Sequence, residues 1–394
     1  MGELTLPLSS PAIAKHMEYA AWFADEHLQQ VALRDGALYL KFADGTDEVA
    51  LRGKLDRLAA RFAQMDDFQA KELFRLGTVT TVPEVYPDLV ARGWVAELGQ
   101  GQVTLRGLAL DLLEFIDDVF VRKIAGPGAR REYYPVVMST ERMNRSNHFG
   151  SFPEHVQFVT HLREDLDVLD DFARELRAAG GWTPAVLDKV TRPLASPVVA
   201  LNPSVCYHCY ASIEGQTVEG EGFVATARSK CHRYEGGNHR GLARLMDFTM
   251  REIIYVGHPD YVKRTRLESI ERLRQMVERW GLTAWMESSN DPFFTNDFEV
   301  KASFQRNNDM KYELRMPIAG GSAAVTSSNF HSVTFGKAFN IMQTNKRPVC
   351  TGCVGVGLER WMYAVFSQVG LDPAAWPANL AADFARWQAT QVVT

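Results

Sequence analysis

The sequence predicts an α+β protein, with a helical insertion near residues 160–192 and a small α/β unit before residue 106. Three observations predict it. Val31 to Phe42 alternates around Asp35-Gly36, the pattern of a hairpin, and Lys54 to Met65 follows with helical periodicity. Leu108 to Lys123 and Leu162 to Ala179 repeat their apolar residues at helix spacing. Near the far end, a glycine run from Gly352 to Gly357 leads into an apolar stretch, Trp361 to Phe366, that reads as a buried helix.

Residues 1 to about 105 read as an accessory unit. After its first hairpin and helix, Leu89 to Leu105 gives a helix end, a short hairpin through Gly99-Gln100-Gly101 and a return strand. Through residue 120 the chain carries 19 acidic and 11 basic side chains, so this part is more negative than the whole chain at −5. Such a surface repels a phosphate backbone. The helix from Leu108 to Lys123 is stopped by Gly126-Pro127-Gly128, and Tyr133 to Met138 reads as a strand beginning near a proline. A second amphipathic helix carries Leu162, Leu166, Leu169, Phe172, Ala173 and Leu176 on one stripe, and Gly180-Gly181 ends it. Thr183-Pro184 then starts another helix, which makes the insertion a helical hairpin.

Composition narrows the class. Hydrophobic residues at 46% and charged residues at 23% suit a globular chain with a core large enough to need no staple. A sequence pI near 6.1 argues against a general nucleic-acid binder. No apolar run reaches the ~18 residues of a membrane span, and Met1 to Pro11 lacks the basic start and apolar core of a signal peptide. Five cysteines, an odd number in three places, do not form the pattern of a secreted disulfide framework. A reduced cytoplasm and no membrane contact are the expectation.

The most informative stretch runs from Cys231 to Gly257. Arg233 and Glu235 alternate as on a strand face, and a Gly-Gly-Asn loop follows. Arg244, Phe248 and Glu252 then recur at steps of four, which suits a helix face or one side of a strand. Arginines fork onto phosphates, and an aromatic face stacks on a purine, so the set suits a nucleotide. The spacing Arg-x-Glu, loop, Arg-x-x-x-Phe-x-x-x-acid resembles motif 2 of class II aminoacyl-tRNA synthetases. Gly352-Cys353-Val354-Gly355-Val356-Gly357-Leu358-Glu359-Arg360-Trp361 is similar to motif 3 of that class. The helix and strand between residues 108 and 138 resemble motif 1, which builds a dimer interface there.

The resemblance implies the class II catalytic fold, an antiparallel sheet flanked by helices, over residues 106–394, in a homodimer. It also implies roles. ATP lies on the sheet with Arg233 on its α-phosphate, Arg360 near its γ-phosphate and Arg244 near its far phosphates. Phe248 stacks on adenine, Glu235 meets the adenine amino group, and Glu359 belongs to the same nucleotide-binding set. Mg²⁺ bridges the phosphates.

The cysteines leave two readings. Cys206, Cys209, Cys350 and Cys353 form two C-x-x-C pairs, which alone suggest a four-cysteine structural zinc site. The segments around Cys206, Glu252 and Cys353 are instead similar to the ligand positions of atypical, archaeal-type seryl-tRNA synthetases. That resemblance implies a Zn²⁺ ion with an open fourth position for an amine. Cys209, Cys350 and Cys231 then read as small buried apolar residues.

Phe149 to His155 also resembles the atypical seryl-tRNA synthetases. A narrower likeness appears at Asp291-Pro292-Phe293-Phe294, Phe304-Gln305-Arg306 and Lys311-Tyr312-Glu313-Leu314. These resemble the amino acid:[carrier protein] ligases, relatives of atypical seryl-tRNA synthetases. The likeness implies activation of a small amino acid, glycine, alanine or serine, as its adenylate. It implies transfer to the phosphopantetheine thiol of a carrier protein, with tRNA not an acceptor. Glu313 and Lys311 are candidate substrate contacts; the alternative is a solvated strand pair. Two other readings stand beside this one: an atypical zinc-dependent seryl-tRNA synthetase, and a non-catalytic regulator that binds aminoacyl nucleotides. The chain departs from ordinary seryl-tRNA synthetases at Ala323 to Asn329, where an acid that contacts magnesium is missing.

Overall fold

Strand-forming residues are spread over much of the chain, and they assemble into one eight-stranded sheet. The computed structural model describes residues 1–63, 70–183, 186, 189, 193–289 and 310–391. Asp291-Pro292-Phe293-Phe294, Phe304-Gln305-Arg306 and most of the helix expected from Thr183-Pro184 lie outside the described residues. In spatial order the strands are Glu72–Leu76, Ala284–Ser288, Lys311–Ile318, Gly321–Ser332, Cys350–Gly357, Asp247–Gly257, Gly222–His232 and Arg130–Arg131. Neighbours are antiparallel except the last pair, which is parallel. Asp247–Gly257 is central because its β-branched and aromatic residues suit a sheet packed on both faces.

Each face has its own core. Ile253 and Tyr255 face the larger one, where the helices Gly107–Val119, Pro259–Arg279 and Leu358–Val369 bury Phe115, Trp280, Trp361 and Phe366. The helix after the glycine run is buried as expected; inside it, the Trp361 indole donates to Thr326 Oγ1 at 2.7 Å. Met250 and Ile254 face the smaller core, closed by the helices Cys206–Ser212 and Thr334–Ala338. Across the larger core, Arg251 donates to both Asp117 oxygens at 2.6 and 2.8 Å, tying helix Gly107–Val119 to the central strand. No described helix is long and apolar enough to cross a membrane.

The first residues fold around a separate core of Leu4, Met17, Leu38, Leu51 and Phe62. Asp35 and Gly36 both take positive φ, as the tight turn between Leu28–Arg34 and Ala37–Phe42 requires. Between Phe62 and the boundary expected at residue 105, the described elements pack on the main body. Glu72–Leu76 is an edge strand of the large sheet, and Val85, Leu89 and Val95 belong to the large core. The independent core therefore closes by Phe62, and residues 72–105 pack with the main body.

Two expectations change. Tyr133 to Val136 is not strand; the chain crosses here from Arg130–Arg131 of the large sheet to Val137–Ser139 of a small one, and Pro135 cannot donate to a ladder. The helix expected from Leu162 begins at Leu166, because Asp165 caps it by accepting from the Asp167 and Val168 amides. Leu162 pairs with Leu194 instead. No residue of Leu166–Ala178 is fully buried: Leu166 and Leu169 are exposed, while Phe172, Ala173 and Leu176 are half-buried, with Phe172 against Trp182.

Candidate active site

Phe248, Met250, Glu252 and Ile254 alternate onto one face of the central strand, so the steps of four in the sequence are a strand face. Glu252 lies opposite Ala227 on one side and Gly355 on the other. Cys353 is two residues from Gly355 on the same face, which makes it a diagonal neighbour of Glu252. A Cβ at Gly355 would stand 3.2 Å from Ser327 Oγ and 3.6 Å from Glu252 Oε1, so glycine keeps this pocket clear. Cys206 arrives from above at the start of its short helix.

The ligand atoms of Cys206, Glu252 and Cys353 all lie within 4.8 Å of one another, and all three side chains are buried. Ser204 Oγ donates to Glu252 Oε1 at 2.9 Å and lies 3.3 Å from Cys206 Sγ. Glu252 Oε2 is buried with no hydrogen-bond partner among the described residues. Burial pushes the Glu252 carboxyl up to about 8 and holds the Cys206 thiol above its usual range. Hydrogen bonding from the Cys206 thiol, then from His331 and Asn329, holds the Cys353 thiol below its usual range, with the Asn329 amide donating at 3.5 Å. Two sulfurs and a carboxylate oxygen, with one oxygen orphaned, fit a tetrahedral cation that keeps a fourth position open. The four-cysteine arrangement does not form among the described residues: Cys209 and Cys350 are buried elsewhere, and Cys231 is core.

The residues expected at a nucleotide gather on the same side. Arg233 donates to the Pro203 carbonyl at 3.2 Å and lies 5.4 Å over the Phe248 ring. Arg244 reaches Glu235 at 3.4 Å, with Glu235 buried. Arg360 is fixed by the Ala243 and Ala324 carbonyls at 2.6 and 3.2 Å. Burial, and next the Arg244 charge, lower it to about 10, where it stays cationic at neutral pH. Glu359, expected among the nucleotide contacts, is buried, with both oxygens accepting from the Thr249 amide at 2.8 Å and Lys230 3.7 Å away. Lys311 and Glu313 are no solvated pair. Lys311 is buried and 3.3 Å from Glu313, which also meets Arg315 at 3.2 Å.

Sequence reasoning missed several groups. Glu154 sits in the quoted Phe149–His155 segment with no role assigned. Its side chain is 6% exposed, and neither oxygen has a hydrogen-bond partner among the described residues. Burial, and the nearby Glu235 charge, push it up to about 7. Ser204, Asn329 and His331, which surround the three ligand candidates, carry no spacing signal. Tyr19 lies against Arg244, far from it in sequence, so no local pattern points to it.

Residues 198–369 match the family described as tRNA synthetase class II core domain (G, H, P, S and T). The chain is 32% identical over 260 residues to amino acid–[acyl-carrier-protein] ligase 1 of Bradyrhizobium diazoefficiens, covering 65% of this chain and 76% of that protein. It is 26% identical over 378 residues to the type-2 serine–tRNA ligase of Methanopyrus kandleri, covering 88% and 71%. Its backbone superposes on M. kandleri SerRS, solved in complex with A. aeolicus tRNASec, with a TM-score of 0.72 at 24% identity, over 98% of this chain and 77% of that one. That likeness shows the class II fold.

Proposed function

Because the chain belongs to the class II synthetase-like ligase family of amino acid–[acyl-carrier-protein] ligases and type-2 serine–tRNA ligases, we propose that it activates a small amino acid as its adenylate and transfers it to a carrier-protein thiol. The observation that carries this reading is one strand face. It brings Glu252, with Cys206 and Cys353, beside Phe248 and Arg233. An amine-binding centre and a phosphate-binding arginine side by side suit a substrate that has an amino group two bonds from a reacting carboxylate.

Cys206, Glu252 and Cys353 would hold the zinc, which supplies an open position for the substrate's α-amino group. That choice of anchor suits glycine, alanine or serine. Arg233 binds the α-phosphate, and Arg360 and Arg244 take the outer phosphates. Phe248 offers its ring to adenine and Glu235 accepts from the adenine amine. The amino-acid carboxylate attacks the α-phosphorus, pyrophosphate leaves, and the arginines carry the charge that grows on the phosphate oxygens. Most of the rate comes from holding the two substrates in line. The acceptor thiol then attacks the acyl carbon as its thiolate, and AMP leaves with the bond to phosphate intact. Mg²⁺ arrives with the nucleotide; among the described residues no second cluster of three metal-ligating side chains accompanies it.

Support for the carrier comes from the 32% identical relative and from the acidity of the first 120 residues. The exposed end of the stripe on Leu166–Ala178, Leu166 and Leu169, is the proposed docking surface. A homodimer would form on the motif 1 side, where Tyr133 is 92% exposed and Val136 and Leu110 are also exposed. One observation favours charging of tRNA instead: the serine–tRNA ligase match covers 88% of this chain and so reaches into the first 105 residues. Pyrophosphate exchange across the amino acids tests the common first step. Exchange with one or two small amino acids is the expected result, and none with any amino acid overturns the ligase reading.

A further inference from the structure

The motif 2 loop, residues 236–241, is held from outside by the first unit of the chain. Trp22 lies flat on its backbone: a Cβ at Gly237 would stand 2.3–2.5 Å from the indole ring, and one at Gly236 would stand 3.4 Å from Trp22 and 3.5 Å from Phe23. Asn238 donates from its side-chain amide to the Tyr19 carbonyl at 3.1 Å. Phe23 meets the Tyr234 ring edge-on at 6.4 Å. Tyr19 reaches furthest in. Its ring lies 4.6 Å from the Arg244 guanidinium, and its hydroxyl is 3.1 Å from His155 Nε2. The same Arg244 pairs with buried Glu235. Burial, and then Glu235, keep the Tyr19 hydroxyl protonated well above its usual range.

We infer that Tyr19 is a positioning residue of the nucleotide site, and that the N-terminal unit completes this site within the same chain. The inference rests on the nucleotide reading of Arg244 and Glu235. A guanidinium on a long stem loses rotamer freedom when it binds phosphate. An aromatic face that already fixes Arg244 removes part of that cost before ATP arrives. In the proposed roles Arg244 and Glu235 belong to the ATP half of the site, and Cys206, Glu252 and Cys353 to its amino-acid half. The Tyr19 contact therefore acts on ATP and leaves the amino acid alone.

The test is calorimetric ATP binding and pyrophosphate exchange with the full chain, comparing wild type, Tyr19→Leu, Tyr19→Phe and Gly237→Ala. Tyr19→Leu keeps buried bulk without a π face, and Gly237→Ala dislodges Trp22 from the other side. Circular dichroism melting checks that each variant is folded. Tyr19→Leu should weaken ATP binding and raise the KM for ATP about tenfold, the scale of one desolvated cation–π contact. The KM for amino acid and the bound zinc should stay unchanged. Tyr19→Phe keeps the ring and should bind ATP within about twofold of wild type. Gly237→Ala should follow Tyr19→Leu. Equal ATP affinity in wild type and Tyr19→Leu overturns the inference and leaves the ligase reading standing. So does an equal loss in both KM values. No ATP binding by wild type overturns both.

Discussion

At the scale of single residues, Arg233 and Arg360 are the proposed phosphate contacts, Cys206, Glu252 and Cys353 the proposed metal donors, and Glu154 a buried carboxyl that no proposed step uses. Arg233→Ala and Arg360→Ala should each stop pyrophosphate exchange in a folded protein, because removing one preorganised donor costs on the order of 3 kcal/mol. Near-normal exchange in either variant rules out the phosphate role. Alanine at Cys206, Glu252 or Cys353 should empty the metal site by elemental analysis, whereas Cys209→Ser and Cys350→Ser should keep one zinc per chain. Zinc retained by the first set and lost from the second would reverse the assignment. Glu154 gives a stability signal. Its folded value is about 7 against an ordinary 4.5, so the folded chain holds a proton that the unfolded chain releases between those limits. Stability is therefore highest below that window and falls as pH rises through it. Glu154→Gln keeps the shape without the titration. Urea unfolding at pH 5 and pH 8 should show the variant gaining on wild type at the higher pH, on the order of 2 kcal/mol. A difference that does not change with pH contradicts the buried-carboxyl account.

At the scale of elements, what the sequence reveals depends on how local each element's cause is. The hairpin through Asp35-Gly36 and the helix after Gly357 were legible because turn chemistry and periodicity lie within a few residues. Steps of four from Arg244 to Glu252 fit a helix or a strand; pairing to Gly222–His232 and Cys350–Gly357 puts Phe248 and Glu252 on a strand, with Arg244 in the loop before it. Glu72–Leu76 carries no local sign of its place in the large sheet, because its partner, Ala284–Ser288, lies far along the chain. The metal set was legible only through resemblance, since the two C-x-x-C pairs point equally to four sulfurs. Tyr19 had no local signal at all. The helix Leu166–Ala178 has Phe172 half-buried against Trp182 and leaves Leu166 and Leu169 exposed, Leu166 at 72%. Leu166→Asp together with Leu169→Asp should leave pyrophosphate exchange within about twofold of wild type, because neither touches the site. Acyl transfer to a carrier should fall at least about tenfold, since a buried charge in an apolar contact costs more than 1.4 kcal/mol. Unchanged transfer removes this helix as the docking surface.

At the scale of the whole molecule, one sheet separates two tasks. Its larger core and three long helices supply stability, and the smaller core holds Cys206, Cys209, Cys231 and Cys353 beside buried Glu252. The N-terminal unit closes on the motif 2 loop, and the exposed link around Tyr133 offers a surface for a second copy. Tyr133→Arg with Val136→Asp should shift the protein from dimer to monomer by light scattering, and a dimer that survives both places the interface elsewhere. The most direct measurement of the central claim offers both acceptors at once. The protein is incubated with ATP, its radiolabelled amino acid, a phosphopantetheinylated carrier protein and tRNA(Ser), and the label is followed onto each. The account predicts label on the carrier as a thioester cleaved by hydroxylamine, absent when the carrier lacks its phosphopantetheine arm, with no label on tRNA. Label on tRNA and none on the carrier would contradict it.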